Sequence, residues 1–179
     1  DFRGRVVALF ARGRPGDASD LDGHGTTHTA GSLCVDGTAS GGQYRGMAWE
    51  AGLAHQSVAN ASGALTGLPY DLYELFEETY ACGARVHSDS WGSDTYGTYT
   101  SDSRSTDLFA WDHPDHLAVF AAGNAGRDSD RNGVVDPGSV GSPATAKNAL
   151  AVGATENDRL PGTGGYSAYT WGAAWPNRY

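Results

Sequence analysis

The sequence predicts an α/β domain built on a parallel sheet, and three observations predict it. Short apolar runs of strand length alternate with segments of helical periodicity, the order that lays helices over both faces of a parallel sheet. Glycine is abundant, 26 of 179 residues against 7 prolines, which indicates many tight turns and close backbone approaches in a folded chain. Charged residues make up 18% and aromatics 11%, a balance that supports one domain with a buried core rather than a disordered segment.

The elements run in order along the chain. Arg5-Val6-Val7-Ala8-Leu9-Phe10 reads as the first strand, and a Gly/Pro/Asp loop carries the chain through Asp22. A short helix of small residues is expected from His24 to about Val35, ending near Gly37. Residues 52–58 form a second strand. From Leu68 to Ala81 the apolar residues Leu72, Leu75, Phe76 and Tyr80 recur at helical spacing, with Gly83 where a capping glycine belongs. Residues 85–92 read as a third strand, 102–112 as a helix, 117–120 as a fourth strand and 149–154 as the last. The Gly/Trp/Tyr-rich stretch from Pro161 to Tyr179 has no periodicity and reads as loop.

Composition narrows the partners. A net charge of −9 with no basic run argues against nucleic acid and anionic membranes and favours cations. No apolar stretch reaches transmembrane length, and no signal peptide opens the chain, whose first residues Asp1-Phe2-Arg3-Gly4 read like the middle of a protein. Cys34 and Cys82 read as two separate buried thiols, with a disulfide as the alternative. His55, His87, His113 and His116 show no ligand spacing and read as structural or surface residues.

Two motifs carry chemistry. Asp20-Leu21-Asp22-Gly23-His24-Gly25-Thr26 sets a histidine between glycines at the start of a helix. Phe120-Ala121-Ala122-Gly123-Asn124 ends an apolar strand on a side-chain amide. A base at a helix start and an amide at a strand end are two parts of an acyl-transfer site: the base takes a proton, and the amide meets the negative charge that develops on the carbonyl oxygen. Alone, His24 reads as a capping or core histidine, and Asn124 as a turn residue.

Together, in this order, the motifs resemble those of the subtilisin-like serine proteases, the subtilases. The resemblance runs from about Phe2 to Asp158 and implies a three-layer fold with a mostly parallel central sheet. It makes His24 the general base and Asn124 the oxyanion donor. Ser88-Asp89-Ser90-Trp91-Gly92 is similar to the strand with which that family pairs its substrate, so Ser90, Trp91 and Gly92 are expected to bind a polypeptide by strand addition, with Ala122 and Gly123 opposite. Gly92 is expected to leave room for the side chain before the cut. Residues 142–154 resemble the passage from the back of the specificity pocket into the next strand.

One departure stands out. The family pattern His-Gly-Thr-His-x-Ala-Gly is interrupted here by Thr27, and an inserted residue turns the rest of a helix by about 100°. His28 is therefore the second candidate base. No Gly-Thr-Ser-x-Ala sequence occurs in the 179 residues. The resemblance thus implies a partial catalytic domain spanning 1–179, incomplete at both ends, with the aspartate before residue 1 and the serine after residue 179.

A separate acidic segment, residues 128–136, places oxygen ligands like the first part of an EF-hand loop. Asp128, Asp130, Asn132 and Asp136 stand at positions 1, 3, 5 and 9, with Gly133 at 6 and the Val134 carbonyl at 7. Ser139 occupies position 12, where the bidentate glutamate would be. Ca²⁺ is the expected cofactor, and a solvated acidic turn the alternative.

The expectation is a secreted, monomeric serine endopeptidase of which this chain supplies base, substrate strand and oxyanion amide. The alternatives are a catalytically dead subtilase-like domain that binds peptides, and a calcium-binding structural or adhesion module.

Overall fold

The β-branched and apolar run after Arg5 extends as β1, Val6–Ala11, and pairs in parallel with β2, Leu53–Ser57. The register sets Val6 against Leu53 and Ala11 against Ser57, with an irregularity between Val6 and Ala8. A parallel pair requires a crossover. It contains α1, Gly31–Cys34, and a 3₁₀ turn at Thr38–Ser40. The computed structural model describes residues 1–19, 28–126, 129–130 and 134–154. The chain divides into two units, Asp1–Ser90 and the chain from Trp91 onward.

In the first unit, α2 spans Leu72–Tyr80 and buries Leu72, Leu75, Phe76 and Thr79 on one stripe. Burying a side chain such as Phe76 contributes about 1.5–3 kcal/mol. The helix starts four residues later than the apolar pattern begins because Asp71 caps it, its carboxylate accepting the Tyr73 N–H at 3.0 Å. It ends as the sequence indicates. Gly83 takes φ +94°, its N–H reaches the Tyr80 carbonyl, and the Ala84 N–H reaches that of Thr79, the paired bonds of a Schellman cap. Strand β3, Val86–Asp89, comes next.

In the second unit, α3, Ser101–Asp112, opens with a reciprocal capping box between Thr100 and Ser103. Strand β4, Leu117–Ala121, pairs in parallel with β5, Leu150–Val152, with Phe120 opposite Ala151. Ala118 and Phe120 are buried, the alternation of a strand with one face inward. Both units are thus α/β with parallel strand pairing, as expected. Helix cover is uneven, however: Val7 and Leu9 of β1 are exposed, as are Leu150 and Val152 of β5. The cysteines are separate thiols as expected, but only one is buried. Both are free thiols, Cys34 buried but Cys82 exposed, because Cys82 lies past the end of α2 in the capping turn, off the buried stripe.

Candidate active site

Asn124 is placed by the end of β4. The Ala122 N–H donates to the Val152 carbonyl at 2.9 Å, which carries the β4–β5 ladder past the last strand residue. The chain then turns at Gly123, whose φ of +106° suits glycine alone among ordinary residues. The left-handed conformation falls on Gly123 and not on Asn124, so the turn does not require the asparagine. Asn124 emerges exposed at the carboxyl end of the strand, with Ala122 half-buried behind it.

The neighbouring segment is built of backbone. Ser93 and Ser142 exchange N–H···O bonds of 2.9 and 3.0 Å in an antiparallel bridge, and the Gly141 N–H donates to the Ala122 carbonyl at 3.0 Å. Residues 141–142 therefore tie the 92–93 segment to the 122–123 turn. Side chains are excluded at these crossings. A Cβ on Gly141 would lie 2.5 Å from the Ser93 carbonyl oxygen, and one on Gly92 would lie 2.8 Å from that of Ser142. Gly92 thus meets the Ser142 carbonyl where a side chain would otherwise stand. Trp91 is half-buried, its ring edge-on to Phe120 with centroids 5.7 Å apart. Ser90 and Gly92 are exposed and lie beyond β3, which ends at Asp89 rather than at Gly92 because the chain leaves it for the Ser142 bridge.

Helix α3 holds this wall. The Thr100 hydroxyl lies 2.5 Å from that of Ser142, and the Ser103 hydroxyl lies 3.1 Å from Ser142 and 2.7 Å from Thr145. Thr145 donates onward to the Thr98 carbonyl. One turn further, the Asp107 carboxylate accepts the N–H groups of Lys147 and Asn148 at 2.9 and 2.7 Å, fixing the entry to β5. Its other oxygen accepts the Tyr99 hydroxyl, and that bond pushes the Tyr99 phenol above its ordinary range.

Sequence reasoning missed two features. Asp94, the exposed residue after Ser93, brings its carboxylate to 4.0 Å from where a Cβ on Gly123 would stand. No local pattern marks it, since the proximity is set by the Ser93–Ser142 bridge. In the first unit, His87 is not a lone histidine. Its Nδ1 lies 2.7 Å from Asp89 Oδ2 and its Nε2 3.0 Å from Gln56 Oε1. Residues two apart on a strand share a face, so the His87–Asp89 pair is readable from the sequence.

Of the remaining candidates, His24 lies outside the described residues. His28, the second candidate base, is exposed just before α1. In the acidic segment, Asp128 and Asn132 also lie outside the described residues, while Asp130 and Val134 are exposed. Asp136 is half-buried; its carboxylate accepts the Ser129 N–H at 3.0 Å, and hydrogen bonding from the Ser129 side chain and then its backbone holds the carboxyl below its ordinary range.

Comparison with known proteins adds a family to this geometry. The model of the subtilase family, Peptidase_S8, matches residues 11–177. The chain is 36% identical over 144 residues to the serine protease/ABC transporter B family protein tagD of Dictyostelium discoideum, a match covering 76% of this chain and 7% of that protein. It is 30% identical over 154 residues to tagA of the same organism, covering 84% of this chain and 8% of that protein. Serine protease AprX of Bacillus subtilis is 27% identical over 174 residues, covering 88% of this chain and 36% of AprX. The chain therefore spans less than a tenth of the length of the tag proteins and about a third of AprX.

Proposed function

The chain belongs to the subtilase family, and from that premise we propose that it is the base- and oxyanion-bearing part of a secreted serine endopeptidase that cuts polypeptides through an Asp/His/Ser triad. The observation that carries the reading is the placement of Asn124: exposed, at the carboxyl end of β4, on a turn whose strain is taken by Gly123 and whose neighbour is pinned by Gly141. A side-chain amide on such a frame is preorganised. It meets the substrate carbonyl oxygen only as that oxygen becomes an anion, and so stabilises the transition state over the ground state.

His24 is the general base in this reading. It takes the proton of the serine hydroxyl during attack and returns it to the leaving amine. Ser90, Trp91 and Gly92 present backbone to an extended substrate, and Ala122 and Gly123 line the opposite side. Aspartate and serine come from sequence outside these residues. Because a triad acts as a unit, residues 1–179 alone hydrolyse nothing at a useful rate. The acidic segment binds Ca²⁺ through Asp128, Asp130, Asn132, Asp136 and the Val134 carbonyl, an assembly of hard oxygen donors suited to that ion. Asp128, Asp130 and Asp136 would be neutralised by the bound ion, which would tie down the chain just after the oxyanion asparagine.

The test is the full-length protein assayed on a denatured polypeptide and on a serine-directed phosphonate probe. Cleavage and covalent labelling are expected, and His24→Ala should lower turnover by about 10⁴-fold or more. If His24→Ala turns over normally while His28→Ala is dead, the base is His28 and the register across Thr27 is wrong. A folded protein that binds peptide but neither cleaves nor labels is the non-catalytic alternative.

A further inference from the structure

We propose that Asp94 makes this site select a basic residue, Arg or Lys, immediately before the bond to be cut. The inference rests on the protease reading of the same site and assigns its substrate class. If Asn124 holds the carbonyl oxygen of that residue, the residue's Cα lies one bond from the carbonyl carbon, and its side chain begins beside the Gly123–Asn124 turn. The chain around that turn presents backbone rather than side chains. Gly92 and Gly141 admit no Cβ against Ser142 and Ser93, and Gly123 carries none. Neutral peptide groups on these walls discriminate little between side chains of different charge.

Asp94 is the exception. Its carboxylate lies 4.0 Å from the Cβ direction of Gly123, on the side of that turn reached from Ser93. The backbone beneath it is fixed on both flanks, by the paired Ser93–Ser142 bonds and by the Gly97 N–H to the Val140 carbonyl at 3.1 Å. Among the described residues no cation or hydrogen-bond donor engages the Asp94 side chain, and its exposed carboxylate stands against the turn. A long flexible stem ending in a guanidinium or ammonium satisfies it; Arg does so with a planar fork matched to a carboxylate. An acidic side chain there is repelled.

The test uses the full-length protein and a peptide series that differs only in the residue before the cut: Arg, Lys, Leu or Glu. The readout is kcat/KM for each. Arg and Lys should exceed Leu by about tenfold or more, with Glu lowest. Asp94→Asn should collapse the Arg-to-Leu ratio towards one, and Asp94→Lys should raise Glu over Arg. Each ratio is internal to one enzyme preparation, so a partly misfolded variant reports the same value, and Asp94→Ser provides a second neutral replacement. An Arg-to-Leu ratio unchanged in both Asp94→Asn and Asp94→Ser overturns the assignment, as does a wild-type preference for Leu or Glu. Those results leave the protease reading standing. A wild-type protein that cuts none of the series, and no denatured polypeptide either, overturns both.

Discussion

In the first unit buried and half-buried side chains, most of them ionisable, reach one another in a line. Asp89 meets His87 at 2.7 Å and His87 meets the Gln56 carbonyl oxygen at 3.0 Å. The Gln56 amide nitrogen donates to Glu78 at 2.6 Å and to the Leu75 carbonyl, and Glu78 meets Arg12 at 3.0 Å. In the second unit the corresponding cluster is neutral: the hydroxyls of Thr100, Ser103, Ser142 and Thr145, closed by backbone carbonyls. Charged groups out of water are costly unless fully paired, so the first line stabilises little net but is expensive to interrupt. Hydroxyls donate and accept in either direction and readjust when a member is lost. The hydroxyl cluster beside Asn124 therefore rests on contacts indifferent to pH and salt, while the charged line lies in the unit that ends at Ser90.

The largest effect should come from interrupting the charged line. The side chains of His87 and Asp89 are 11% and 5% exposed, so Asp89→Ala removes the acceptor from a nearly buried imidazole nitrogen. Its expected cost is about 3–5 kcal/mol, the range for breaking one partner of a buried pair. Urea unfolding at constant m-value measures it, and Asp89→Asn, which keeps an acceptor oxygen, should lose less. A cost under about 1 kcal/mol for Asp89→Ala would place the pair with surface ion pairs and remove the contrast between the units.

Asn124 tests what the neutral frame is for. Asn124→Ala should lower kcat of the full-length enzyme by about 10²–10³-fold, the range observed on removing one oxyanion donor from a subtilisin. KM should change little, because the amide meets charge only in the transition state. Folding stability should hardly move, since Asn124 is exposed. Equal losses in KM and kcat, or a normal kcat, would make Asn124 a substrate-binding or turn residue instead.

Local signals in the sequence carry the secondary structure well and the contacts of the site poorly, for a physical reason. The stripe of Leu72, Leu75 and Phe76 and the stop at Gly83 are consequences of the helix's own period and of glycine's freedom at positive φ, so they are readable. Apolar spacing alone places the start at Leu68, whereas Asp71, two residues after Pro69, carries the capping signal. The strand expected over residues 85–92 is cut short because the bridge that redirects it, Ser93 to Ser142, joins residues far apart in the sequence. The same bridge explains why Asp94 has no local signature. The motif around Asn124 is legible as chemistry. The hydroxyl cluster is half legible, since Thr100 and Ser103 stand at capping-box spacing while their partners are some forty residues on.

A third effect concerns a charged cluster within the second unit. If the acidic segment binds Ca²⁺ only in the folded state, saturation at one hundred times Kd adds about 2.7 kcal/mol. Chelator should lower the unfolding temperature of the full-length protein, and Asp130→Ala should abolish most of that sensitivity. Acid should act in the same direction. Asp136 has a depressed carboxyl, so its contribution is present above the ordinary aspartate range and lost as pH falls through the depressed value. If Asp130→Ala melts like the wild type with and without calcium, the segment is a solvated turn.

The smallest effect should come from the hydroxyl cluster. Ser103 is fully buried, accepts the Thr100 N–H at 3.3 Å, and shares protons with Ser142 and Thr145. Ser103→Ala takes the acceptor from the Thr100 N–H but leaves both neighbouring hydroxyls a partner: Ser142 keeps Thr100, and Thr145 keeps the Thr98 carbonyl. The loss should be about 1 kcal/mol, that of one net hydrogen bond. For a domain of this size it corresponds to about 2–4 °C in Tm. No member of the cluster titrates in the working range, so the loss should be the same at acidic and alkaline pH. A double-mutant cycle with Ser142→Ala measures the coupling directly, and a value of about a few tenths of a kcal/mol marks an adaptable network. If Ser103→Ala costs as much as Asp89→Ala, or its cost varies with pH, the wall beside Asn124 is as rigidly and electrostatically held as the charged line, and the two units do not differ in kind.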